Sequence, residues 1–132
     1  MSEFPTAAHL AVTVSDLSVS VPWYEKLFGA KPVLDQDTGP FRHVVWALPG
    51  GFLYSLHGFT KDLAQPGPAN EFRQGIDHLA FRVPSRAALE EWAEKLDELG
   101  IEHGNIVDAD YGSGLAFRDP DNIQLEFFAN PE

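Results

Sequence analysis

The sequence has 132 residues, no cysteine, and nine basic against twenty acidic side chains, a formal net charge of −11. With 44% hydrophobic residues it suits one domain with its own core, and the missing cysteines exclude disulfides, thiolate metal sites and cysteine nucleophiles. The charge argues against nucleic acid as a partner. No leader-like start and no membrane-length apolar run are visible, so the expectation is a soluble, cytoplasmic protein.

In chain order, residues 7–14 read as a first strand by alternation of apolar and other residues. Asp16-Leu17-Ser18 can cap a helix running to Phe28, with Val19, Trp23, Leu27 and Phe28 as its apolar stripe. Pro22 inside it predicts a late start or a bend, and Gly29 ends it. A second strand is expected from Lys31 to Asp35, then a strand pair, Phe41 to Leu48 and Phe52 to His57, across Pro49-Gly50-Gly51. Residues 58–75, with Pro66, Gly67, Pro68 and Gly75, form a long connecting loop.

The second half replays this order. Residues 76–83 are a strand, Ser85 to Leu99 a helix with Leu89, Trp92, Leu96 and Leu99 on one face, and Gly100 its stop. Strands follow over 102–108, 112–118 and 122–128, the last two joined by Asp119-Pro120-Asp121-Asn122. Each half is β-α-β-β-β. His9-Leu10-Ala11, followed by Val12 and Val14, returns 69 residues later as His78-Leu79-Ala80, followed by Phe81 and Val83.

A period of two sorts the side chains. If the aliphatic faces pack under the helices, the other faces line a concave surface. It carries His9 and Thr13, His78 and Arg82, Gln124 and Glu126. A carboxylate within Gln124-Leu125-Glu126-Phe127-Phe128 is expensive to bury unless it is hydrogen-bonded or binds a metal. His9, His78 and Glu126, on separate strands, make a three-ligand set that suits Fe(II), Mn(II), Zn(II), Ni(II) or Co(II) and leaves positions open for substrate.

Four stretches, in this order, resemble the vicinal oxygen chelate superfamily, which holds glyoxalase I, extradiol dioxygenases, fosfomycin resistance proteins and bleomycin resistance proteins. They are His9 to Leu17, Trp23-Tyr24-Glu25-Lys26-Leu27-Phe28-Gly29, Asp77-His78-Leu79-Ala80-Phe81, and Phe117 to Glu126. The resemblance implies an α+β fold: two tandem βαβββ modules forming a cupped mixed sheet. It implies a single glyoxalase-like domain over residues 1–132, with module one about 7–57, the loop about 58–75 and module two about 76–128. The ligand positions carry over to His9, His78 and Glu126, with one divalent metal ion, Fe(II) favoured and Zn(II), Ni(II) or Mn(II) as alternatives.

Aligning the two turns sets Ser55 opposite Glu126. Serine is a poor ligand, which speaks against the four-ligand glyoxalase I and epimerase activities. His43 and His57 share the concave face as candidate acid–base groups, or His57 as a replacement ligand. Arg82, Ser55, Thr13 and Tyr111 are candidate substrate contacts, and Arg118 is assigned to structure. The implied partners are a small-molecule substrate or drug and a second copy of the chain, without nucleic acid or membrane.

Three functions stay open. The first is a metal-dependent enzyme, a dioxygenase or glyoxalase-like lyase, on a substrate that chelates through adjacent oxygens. The second is antibiotic sequestration without catalysis, in a groove lined by Trp46, Phe52, Phe59 and Phe72. The third is thiol transfer of the fosfomycin resistance kind.

Overall fold

The computed structural model describes residues 3–132. It contains two compact units that divide between Pro66 and Gly67. The first holds β1 (His9–Thr13), α1 (Leu17–Phe28), β2 (Leu34–Asp37), β3 (Phe41–Ala47) and β4 (Leu53–Phe59). The second holds β5 (Leu79–Val83), α2 (Arg86–Glu98), β6 (Val107–Ala109), β7 (Gly112–Arg118) and β8 (Gln124–Ala129). The expected β-α-β-β-β order is therefore present twice.

Each unit builds one four-stranded mixed sheet, ordered β1-β4-β3-β2 in the first and β5-β8-β7-β6 in the second. The first and last strands of each unit pair parallel, and the remaining pairs are antiparallel. Of the edge strands, β2 and β6 are short and acidic, with Asp35, Asp37 and Asp108, a composition that discourages edge-to-edge pairing.

Helix α1 starts where Asp16 caps it: the carboxylate accepts from the Ser18 amide at 2.9 Å and the Ser18 hydroxyl at 2.6 Å. These bonds hold the Asp16 carboxyl below its ordinary value. The helix does not start late as Pro22 predicted; Pro22 lies inside it. Gly29 closes it in the left-handed conformation, its amide donating to Glu25 O at 2.9 Å.

The buried face of α1 is Ser20, Tyr24 and Leu27. Opposing it, Val44, Trp46, Tyr54 and Leu56 are fully buried. Tyr24, Phe28, Trp46 and Tyr54 form a ring cluster with centroids 5.2–6.2 Å apart. Its polar tips are satisfied inside: Tyr54 Oη donates to Tyr24 Oη at 2.9 Å and Trp46 Nε1 to Ala30 O at 3.0 Å. Trp46 is thus a core residue, and the expectation that it lines a drug-binding groove is corrected.

In the second unit Ser85 caps α2 through the Ala88 amide at 3.2 Å. Leu89 and Leu96, two turns apart, are fully buried with Leu115 and Leu125, each such side chain contributing about 2 kcal/mol. Trp92 stacks on Phe127 at 4.2 Å. The expected strand over 102–108 shrinks to β6, with His103 making an isolated bridge to Phe117. His103 is held there by donor–acceptor contacts to Gly104 O at 2.7 Å and Asp97 at 2.9 Å. The expected strand over 76–83 starts only at Leu79, leaving His78 just before it. No helix among the described residues is long and apolar enough to cross a membrane.

Candidate functional site

The helices pack on one face of each sheet; the other face carries the expected site residues, exposed at His9 and Thr13 but buried at Val45 and Ser55. In the first unit, register arranges that face in rows. His9 pairs with Leu53, Ala11 with Ser55, and Thr13 with His57. Ser55 then pairs with Val45 and His57 with His43, and His43 with Gln36. A further pair, Phe41 with Phe59, ends the face.

In the second unit Ala80 pairs with Glu126 and Arg82 with Phe128, Glu126 with Ala116 and Phe128 with Gly114, and Gly114 with Val107. The two faces superpose residue for residue by register. Ala11-Ser55-Val45 corresponds to Ala80-Glu126-Ala116, and Thr13-His57-His43-Gln36 to Arg82-Phe128-Gly114-Val107. Ser55 therefore occupies the first unit's equivalent of Glu126, the alignment expected from the turns.

Glu126 is half-buried. Among the described residues its carboxylate makes no hydrogen bond or ion pair. Two glycines make room on this face: a Cβ at Gly114 would stand 2.9 Å from Glu126 Oε1, and one at Gly112 would stand 2.3 Å from Phe128 Cζ. His78, in phase with Ala80, has Nδ1 2.8 Å from Asp77 Oδ1, the contact that directs Nδ1–H to the carboxylate and leaves Nε2 as the free donor atom. His9 opens β1 on the exposed face of its own sheet.

Among the described residues no three His, Asp or Glu side chains stand close enough to hold a metal ion together. Within the second unit the donor types suit a divalent cation: Glu126 is an unpartnered, half-buried carboxylate and His78 an imidazole with one nitrogen already committed.

The remaining expected site residues fall into two groups. His43 and His57 are brought together, their rings 5.6 Å apart and perpendicular. Phe41 stacks on His57 at 4.6 Å and 12°, and Gln36 Oε1 lies 3.1 Å from His43 Nε2. Burial, and secondarily the neighbouring His43, lower the His57 pKa from its ordinary value. Ser55 sits in the adjacent row, 6% exposed, and its hydroxyl has no hydrogen-bond partner.

The others are more dispersed. Thr13 is exposed beside His57. Arg82 is exposed, and its guanidinium donates to the neutral Asn130 side chain. Tyr111 is 76% exposed in the turn between β6 and β7. Arg118, read as structural, is ion-paired with Glu71. Sequence reasoning missed Gln36, Phe41, Asp77 and the two glycines; parity with His43 could have found Phe41 and position next to His78 could have found Asp77, whereas Gln36 needed the β2–β3 register.

A model of the Glyoxalase/Bleomycin resistance protein/Dioxygenase superfamily matches residues 6–127. The chain is similar to the metallothiol transferase FosB of Staphylococcus saprophyticus subsp. saprophyticus, 28% identical over 120 residues, 89% of this chain and 72% of that protein. It is also similar to biphenyl-2,3-diol 1,2-dioxygenase 3 of Rhodococcus globerulus, 28% identical over 144 aligned positions, 100% of this chain and 69% of the relative. Among solved structures, a glyoxylase/bleomycin resistance protein/dioxygenase domain from Frankia sp. EAN1pec superposes with a TM-score of 0.87 at 29% identity, covering 98% of this chain and 100% of that one.

Proposed function

Since the chain belongs to the Glyoxalase/Bleomycin resistance protein/Dioxygenase superfamily, we propose that it is a metal-dependent enzyme of the glyoxalase or dioxygenase type. Its substrate is a small molecule that chelates the metal through two adjacent oxygens. His9, His78 and Glu126 are the ligands of one divalent ion, with Fe(II) favoured over Zn(II), Ni(II) and Mn(II). The observation that carries this reading is the unpartnered Glu126 carboxylate, half-buried over Gly114 between the buried Leu125 and Phe127.

When bound, the ion supplies Lewis-acid polarisation of the substrate oxygens. The chain's own residues do the rest. Ser55 offers its unpartnered hydroxyl to a substrate oxygen, Thr13 adds a second hydroxyl one row on, and Arg82 attracts a negatively charged part of the substrate. Tyr111 approaches from its turn. His57 and His43 supply acid–base chemistry. Thiol transfer to a phosphonate is less well supported, because Arg118 is committed to Glu71 and leaves Arg82 as the guanidinium of that face without a carboxylate partner.

Metal analysis by mass spectrometry, on protein purified without chelator, tests the reading. Close to one ion per chain, lost in Glu126→Ala and His78→Ala, is the expected result. Mixing His9→Ala chains with Glu126→Ala chains then reads the assembly. Recovery of metal shows a homodimer whose site draws on both copies, and no recovery shows a site built within one chain. Absence of metal in the unaltered protein after anaerobic reconstitution overturns the enzyme reading in favour of drug sequestration.

A further inference from the structure

His103 has an acceptor at each ring nitrogen. Nδ1 lies 2.7 Å from the Gly104 carbonyl oxygen, and Nε2 lies 2.9 Å from Asp97 Oδ1. A neutral imidazole carries one N–H and one lone pair, so one of these contacts would set lone pair against lone pair. Both are hydrogen bonds only when the ring holds two protons. The side chain is 18% exposed, which leaves water little room to take the place of either acceptor. The ring also lies at the C-terminal end of α2, where the helix dipole favours a positive charge.

This imidazole stands where the chain returns from helix to sheet. The backbone turns at Gly100 in the left-handed conformation, and Ile101 enters the core. Two residues on, His103 bridges Phe117, and Gly104 N donates to Ala116 O at 2.8 Å. Bridge partners share a face, so the His103 ring stands with the buried Phe117 on the side of β7 that α2 covers. Ala116, which receives the Gly104 bond, is the β7 partner of Glu126.

The fold does not demand an imidazole here. The first unit makes the same backbone contact, Val33 N donating to Val45 O at 2.7 Å. Counted from Gly29 and Gly100, which end the two helices, Pro32 there stands at the position of His103 and Lys26 at that of Asp97. The histidine and its carboxylate are additions of the second unit.

We infer that His103 is a pH-sensitive clasp: as an imidazolium it fastens the chain leaving α2 to the helix end and to β7, and loss of its proton to solvent unfastens that return behind the Glu126 row. This goes beyond the metal reading above and does not depend on it.

The charged group that bears on the ring is Asp97. Glu94, Lys95 and Glu98 are exposed on the same helix, and β7 presents Phe117 on this side, with Ala116 and Arg118 pointing to the other. Glu102 and Gly104 flank the ring in sequence. The Gly104 carbonyl first, then the Asp97 carboxylate and the Ala93 carbonyl, raise the His103 pKa from its ordinary 6.5, against the lowering effect of burial. A raised value in the folded state means that the contribution is complete below 6.5 and is lost as pH rises through the folded midpoint.

Nitrogen-15 NMR on histidine-labelled protein reads both ring nitrogens directly. Below pH 6.5 both nitrogens of His103 should be protonated, and the midpoint should lie above 6.5. Asp97→Asn, at an exposed position that leaves the fold intact, should lower that midpoint. Amide hydrogen exchange at Gly104 then reads the clasp itself. Its protection, corrected for the intrinsic exchange rate, should fall by up to about tenfold for each pH unit above the midpoint, the limit set by one proton. In His103→Gln this pH dependence should be absent. A midpoint at or below 6.5, a midpoint indifferent to Asp97→Asn, or Gly104 protection with the same pH dependence in the parent and His103→Gln overturns the proposal.

Discussion

The carboxylate of Glu126 rests over the bare backbone of Gly114: a Cβ built there would lie 2.9 Å from Oε1 and 3.1 Å from Cδ. The obstacle is the far end of a flexible side chain, so Gly114→Ala should fold, with stability within about 1 kcal/mol of the parent. The displaced carboxylate should weaken metal binding about tenfold. Gly112→Ala differs. Its Cβ meets Phe128 Cζ at 2.3 Å and the Ala129 carbonyl at 2.5 Å, from a φ of +143°, and should cost about 2 kcal/mol or more. Denaturant unfolding beside metal titration separates the two, and equal stability losses would refute the distinction.

Ser20 and Ser55 each bury a hydroxyl with no partner. Ser20 lies on the core side of α1, where alanine removes an unsatisfied group and improves helix propensity. Ser20→Ala should stabilise by about 1 kcal/mol, raising the melting midpoint by about 4 °C. Ser55→Ala should also leave the fold intact or firmer, yet weaken ligand binding. A Ser55→Ala protein that binds its ligand unchanged would remove Ser55 from the site.

The segment before β5 is tied to the β7–β8 turn. Arg118 donates to Glu71, Asn122 Nδ2 to Ala69 O at 2.9 Å, and Ala69 N to Asp121 O at 2.8 Å. The hydrogen bond from Arg118 lowers the Glu71 pKa from 4.5. A depressed carboxyl stabilises the folded state above the unfolded value and loses that contribution as pH falls through the folded one. Arg118→Met should leave the sheets folded but speed proteolysis between residues 60 and 75. In the parent the same susceptibility should rise only below pH 4.5. Equal cleavage of both proteins at pH 7 would show that the pair does not hold the segment.

Asp108 ties β6 to α2 and β7: Arg86 reaches it through Nε at 2.8 Å and Nη2 at 3.0 Å, and Ser113 Oγ at 2.6 Å. These donors, Arg86 first, bring its pKa down from 3.8 to about 2. Its contribution is complete above 3.8 and disappears between there and about 2. Asp108→Asn should therefore flatten the acid limb of the stability curve in that window, as read by circular dichroism against pH. An unaltered acid limb would assign it to other carboxylates.

The parts of the fold legible in the sequence were those with a local cause. Asp16, Gly29, Ser85 and Gly100 mark helix ends through their own backbone chemistry, and alternation placed Ser55, His57 and Glu126 on the faces opposite the helices. Pro22 misled because tertiary packing of Tyr24 and Leu27 outweighs one missing helical donor. The strand over 102–108 failed because His103 is held by Asp97 and Gly104, contacts that periodicity does not encode. Trp46 read as a groove residue because a lone aromatic on a strand does not announce its face. The β3–β4 register, with Val44, Trp46, Tyr54 and Leu56 all inward, was needed to decide it. The glycine cradle was invisible for a similar reason: Gly112-Ser113-Gly114 reads as flexible until β8 lies beside it.

A chain made of two like halves offers each backbone address twice, and the two copies need not carry the same side chain. Ser55 is such a copy of Glu126, and His57 of Phe128. The duplication lets one half keep its carboxylate cradle while the other trades the same address for hydroxyl and imidazole. New specificities can then be tried in one half without dismantling the other, a form of inheritance in which redundancy, rather than novelty of fold, supplies the room for change.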